Sequence, residues 1–75
     1  INNTAYGLQG GIFTNNLALI RRLFEALDVG TLAANDGPGF RTEHFPFGGV
    51  KESGVGREGI KYAIREMSFT KTLVL

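Results

Sequence analysis

The side chains able to do chemistry crowd into one stretch. Gly54-Val55-Gly56-Arg57-Glu58-Gly59 matches G-x-G-x-x-G, a pattern that cradles a pyrophosphate when it lies between a parallel strand and a helix N-terminus. The residues before it, Pro46 to Ser53, hold a proline, two glycines and two charges, and an acidic residue about 20 positions on would lie past Leu75. A glycine-permitted tight loop therefore fits better than a cofactor fingerprint. His44 is the only histidine and there is no cysteine, so neither a metal site nor a thiol nucleophile can be assembled. Glu43, Glu52, Glu58 and Glu66 could each move a proton, but their spacing forms no dyad. Thr42 and Ser53 lack an adjacent base, which leaves their hydroxyls poor nucleophiles. Phe40, Phe45 and Phe47 flank a proline; they either line an apolar pocket or fill core beneath a long connection, and composition alone favours core.

Regular elements must hold these groups in place, and the 75 residues allow at most one small domain. Gly10 to Thr14 is short, partly β-branched and bounded by Gly and Asn, which predicts a buried strand. Leu17, Ile20, Leu23, Phe24 and Leu27 then recur at three- and four-residue steps, with Arg21, Arg22, Glu25 and Asp28 off that stripe, as in an amphipathic helix. Thr14, Asn15 or Asn16 can cap its start, and Gly30 can take a left-handed turn at its end. Thr31 to Asn35 reads as a second strand, making a right-handed βαβ unit with parallel strands. Asp36 to Gly56 is a long structured loop. Ile60, Ala63, Ile64 and Met67 mark a second helix, and Thr70 to Leu75 reads as a terminal strand. The expected fold class is α/β. Two parallel strands do not cover their own faces, so neighbours from sequence before Ile1 are expected, and the start at isoleucine suggests a fragment.

Eight basic and seven acidic residues are interspersed, which gives no electrostatic footprint for nucleic acid or a membrane surface. No apolar run approaches the roughly 18 residues of a membrane span, and no signal peptide is evident, so a cytoplasmic location is expected. Asn2-Asn3-Thr4 matches a glycosylation sequon, but a pattern so short arises often by chance.

Read in order, Tyr6-Gly7-Leu8, Ile12-Phe13-Thr14, a helix, Gly30, Asn35 and the fifteen residues from Phe45 to Gly59, with five glycines at fixed offsets, resemble the C-terminal end of the NAD(P)-dependent aldehyde dehydrogenase superfamily. The resemblance implies a catalytic-domain portion over residues 1–69 and an oligomerisation strand over 70–75. It implies a full-length enzyme that oxidises an aldehyde to a carboxylic acid through a cysteine thiohemiacetal, using NAD or NADP. The cysteine is absent here. This chain alone is therefore expected to be inactive and to bind no cofactor.

Carried over by position, Phe47 matches an aromatic at the substrate entrance, Glu58 matches a glutamate of a water-linked proton relay, and Gly48 and Gly49 match a tight turn near the active site. Phe40 and Arg41 fall in a variable loop that lines the same tunnel. Arg41 either pairs with an anionic group on the aldehyde or is a surface residue paired with Glu43 or solvated. The partners expected are the rest of the enzyme chain, a small aldehyde and, through residues 70–75, a second subunit. The competing reading is an independent interaction module that pairs through that strand.

Overall fold

A computed structural model describes residues 1–75. It contains β1 (Tyr6–Gly7), β2 (Gln9–Ile12), α1 (Leu17–Ala26), β3 (Thr31–Ala34), β4 (Val50–Lys51) and α2 (Ile60–Glu66). β2 and β3 pair in parallel with Gln9 opposite Thr31 and Ile12 opposite Ala34, and α1 is the crossover between them. β1 and β4 form a separate antiparallel pair, Tyr6 opposite Lys51 and Gly7 opposite Val50. That second pair sews the start of the chain to the glycine-rich loop, and the long-loop expectation for Asp36 to Gly56 had left it out.

Asn16 caps α1, its Oδ1 accepting from Leu19 N at 3.0 Å. The helix ends at Leu27 in extended backbone, with the Leu27 N–H donating to Leu23 O at 2.9 Å. Gly30 is not a left-handed cap, which corrects the sequence expectation: the positive-φ glycines are Gly54, Gly56 and Gly59. Its small size serves a close approach instead. A Cβ on Gly30 would overlap the carbonyl oxygen of Gly48, while Gly30 N donates to Gly7 O and Leu8 O at 3.1 Å each. Asn35 and Lys51 are the non-glycine residues at positive φ, and Asn35 Oδ1 accepts from Thr14 N at 2.9 Å just where the parallel pair ends.

The terminal segment has no partner within the chain. Residues 70–75 carry no β-ladder, because a strand exists only through hydrogen bonds to a partner, and none lies beside them. Leu73, Val74 and Leu75 are fully exposed.

Full burial is confined to glycine backbone. The three buried residues are Gly7, Gly10 and Gly49, and no apolar side chain is buried. Phe24, on the apolar stripe of α1, is 70% exposed, and close element-to-element packing occurs only within the two strand pairs. The radius of gyration is 15.7 Å, against about 11 Å for a compact domain of this length. The apolar faces made by the sequence pattern are built but uncovered.

Candidate functional site

Local folding brings three of the four singled-out residues together. Phe47 and Glu58 face each other across an isolated antiparallel bridge: Phe47 N donates to Glu58 O at 3.1 Å, and Glu58 N donates to Phe47 O at 2.6 Å. The bridge forms because Gly48 and Gly49 let the chain turn away from Phe47 and the positive φ of Gly54 and Gly56 brings it back at Glu58, while Gly59, also at positive φ, leads on into α2. The loop leads from the two-residue antiparallel strand β4 into the seven-residue α2. It therefore lacks the parallel strand and long helix of a dinucleotide fingerprint, and all three glycines have a conformational reason to be glycine.

Arg41 completes the cluster. Its guanidinium carbon lies 4.4 Å from the centroid of the Phe47 ring, and Nη2 donates to Glu58 Oε2 at 2.9 Å. The partner of Arg41 is thus Glu58 across the loop rather than Glu43, which corrects the local pairing weighed from sequence. The pair is open to water, with side chains 52% and 66% exposed, so it contributes no more than about 1 kcal/mol to stability. What it does fix is geometry: cation, aromatic face and carboxylate share one patch.

Phe47 and Glu58 line an open cleft of about 560 Å³ together with Leu8, Gly49, Arg57 and Met67, whereas Arg41 lies outside the lining and reaches it only through these two partners. Phe40 does not line it. Its carbonyl accepts from Gln9 Nε2 at 2.9 Å, and its half-exposed ring borders a shallow concavity with Asp36 to Gly39. Phe45 is exposed rather than core. His44 lies on another shallow surface with Glu43 and Tyr62, and no three His, Asp or Glu side chains are arranged to hold a metal ion.

Sequence reasoning missed a clasp behind the bridge. Glu66, read as a solvated carboxylate on α2, accepts the Arg57 N–H on Oε1 at 3.0 Å. Arg57 Nη1 donates to Gly49 O at 3.0 Å and Gly56 O at 2.7 Å. One arginine therefore ties both arms of the loop, and its glutamate partner comes nine positions later, a spacing that carries no motif. Ser53 is likewise structural: its Oγ accepts from Gly7 N at 2.8 Å and anchors β1 to the turn.

Comparison with known proteins agrees along the whole chain. The chain is 84% identical over 75 residues to a sulfoacetaldehyde dehydrogenase of Neptuniibacter caesariensis, covering 100% of this chain and 16% of that protein. Aldehyde dehydrogenase 21 from Physcomitrella patens, solved in complex with the reaction product succinate, superposes with a TM-score of 0.91 at 50% identity, over 99% of this chain and 15% of that one. Glyceraldehyde-3-phosphate dehydrogenase GapN from Methanocaldococcus jannaschii, complexed with NADP, superposes with a TM-score of 0.85 at 50% identity, over 88% and 14% of the respective chains. The chain spans about 16% of the length of the curated relatives it matches. The sequence model of the aldehyde dehydrogenase family matches residues 1–73, and the chain belongs to that family.

Proposed function

We propose that these residues form the substrate-entrance segment of an enzyme that oxidises an aldehyde bearing an anionic tail, with NAD or NADP as hydride acceptor. Phe47 lines the entrance, Arg41 holds the anion, and Glu58 stands beside both as a proton-relay carboxylate. Phe40, set apart from the cluster, borders the outer approach along residues 36–39.

The observation that carries this reading is the guanidinium laid on Phe47 beside the cleft, a planar donor fork suited to sulfonate, carboxylate or phosphate. Three of the similar proteins support it, whereas other relatives are named lactaldehyde dehydrogenases, whose aldehyde is uncharged. Sulfoacetaldehyde, succinate and glyceraldehyde 3-phosphate each carry an anionic group at the end remote from the carbon that is oxidised.

The covalent and hydride steps need groups from outside these residues. There is no cysteine, and the Gly54–Gly59 loop does not fit a dinucleotide, so no step through the cofactor is derived from this segment. What these residues do is bind the tail and orient the carbonyl.

Exchanging the 75 residues into the Neptuniibacter caesariensis enzyme tests the reading. The chimera is expected to oxidise sulfoacetaldehyde at a rate comparable to the parent, whereas the isolated chain neither turns over aldehyde nor binds NAD(P)+. An inactive but folded chimera, or micromolar NAD(P)+ binding by the isolated chain, would count against it.

Residues 70–75 serve as an oligomerisation strand in the same proposal. They are exposed, rich in β-branched and aliphatic residues, and free of any intrachain ladder, which suits them to add to a sheet edge on another subunit. The isolated chain is therefore expected to self-associate through its uncovered apolar faces, with Phe69 85% exposed. Sedimentation velocity checks this; a folded monomer at high concentration would remove the argument.

A further inference from the structure

Arg41 is not an empty receptor for an anion, because the chain already supplies one. We infer that Glu58 is a built-in competitor for the anion site at Arg41, an internal carboxylate that sets how tightly, and for which charges, the entrance binds a substrate tail. This deepens the substrate-class reading above and rests on it.

The geometry supports competition over cooperation. Only Nη2 of Arg41 engages Glu58, through a single contact to Oε2 at 2.9 Å, so the pair lacks the two parallel bonds that hold a bidentate arginine in place. Both side chains are more than half exposed, which keeps the cost of parting them small. The two side chains are anchored differently. Glu58 is fixed through its backbone by the Phe47 bridge, so its carboxylate can swing away without disturbing the loop, and the guanidinium stays on the Phe47 ring at 4.4 Å. An incoming sulfonate that takes the guanidinium meets a second negative charge beside it. It must displace Glu58 or bind against its repulsion, and either way Glu58 weakens the site. A neutral tail meets no such opposition. Glu58 thereby acts as a specificity-determining residue that lets only an anion strong enough to outcompete an internal carboxylate occupy Arg41.

The test measures equilibrium binding in the chimeric enzyme, using methanesulfonate as the anion and dimethyl sulfone as its neutral near-isostere. Removing the competing charge with Glu58→Gln is expected to tighten methanesulfonate about three- to tenfold, the scale of an ion pair between exposed and partly covered groups, and to leave dimethyl sulfone unchanged. Glu58→Asp, whose shorter side chain draws the carboxylate off Arg41, should shift in the same direction by less, and serves if the glutamine variant fails to fold. Unchanged or weaker methanesulfonate binding in the Glu58 variants, with Arg41→Leu abolishing it, would overturn the competition and leave Arg41 as the anion site. Methanesulfonate binding unaffected by Arg41→Leu would overturn both.

Discussion

Arg41→Leu in the chimeric enzyme is expected to lower kcat/KM for sulfoacetaldehyde by about ten- to a hundredfold while sparing propanal, a neutral aldehyde of similar length. The magnitude is that of a lost hydrogen bond to a charged group, roughly 1.5 to 3 kcal/mol. Leucine is the informative replacement because it keeps an apolar side chain over the Phe47 ring, where the guanidinium now lies at 4.4 Å, and removes only the donors and the charge. Arg41→Lys should fall between the two, since the ammonium retains the charge but not the planar fork. Steady-state kinetics with both aldehydes reads the outcome. Equal losses for the two substrates would make Arg41 a packing residue, and no loss for either would remove it from the entrance.

The second large effect belongs to a residue with no side chain. Gly30 has an ordinary negative or extended φ, where alanine would normally be neutral or stabilising by about 0.4 to 1 kcal/mol. Here the sign reverses, because the added methyl would overlap the backbone oxygen of Gly48, so the backbone itself would have to shift to make room. Gly30→Ala is expected to cost about 3 kcal/mol or more in thermal unfolding. Relief by shifting Gly48 would displace Phe47 beside it, and a displacement of about 1 Å at a positioning residue can cost about a hundredfold in kcat/KM. Gly39→Ala is the control: nothing lies within 4 Å of its Cβ, so its stability should stay within about 0.5 kcal/mol of the parent. If the two alanine variants melt alike, the close approach at Gly30 does not limit the fold.

Much of the architecture was legible in the residues. The 3.6 period from Leu17 to Leu27 marks α1, with Asn16 one of three cap candidates, and the short apolar runs on either side mark the parallel pair, because these signals act over a few residues. The β1–β4 pair was not legible. Two-residue strands carry no period, and Tyr6 and Lys51 are brought together by the turns between them rather than by their own pattern. At the site, the resemblance pointed to Phe47 and Glu58 separately, but their mutual bridge depends on the positive-φ glycines Gly54 and Gly56 acting together between them. Arg41 came forward as a cation in an apolar loop, and its pairing with Glu58 spans 17 residues, beyond the reach of any local rule. The Arg57–Glu66 clasp escaped for the same reason. The terminal segment is a different case: β propensity at 70–75 is real, but a strand is a relation between two segments, and no second segment pairs with it within this chain.

Lys51 holds the start of the chain to β4, with Nζ donating to the carbonyls of Asn2 at 3.0 Å and Thr4 at 3.2 Å and lying 3.8 Å from Asp28 Oδ2. An aldehyde forms a Schiff base only with an amine that it can reach. Two backbone carbonyls and a nearby carboxylate hold Lys51 Nζ in place, and its side chain is only 25% exposed. Lys61 and Lys71 are exposed and take part in no ion pair. Borohydride trapping during exposure to aldehyde should therefore label Lys61 and Lys71 well before Lys51, as read by peptide mass spectrometry. Early modification of Lys51 would mean that the first residues detach on that timescale. The same three oxygens that fasten the chain's beginning thus keep this amine out of carbonyl chemistry.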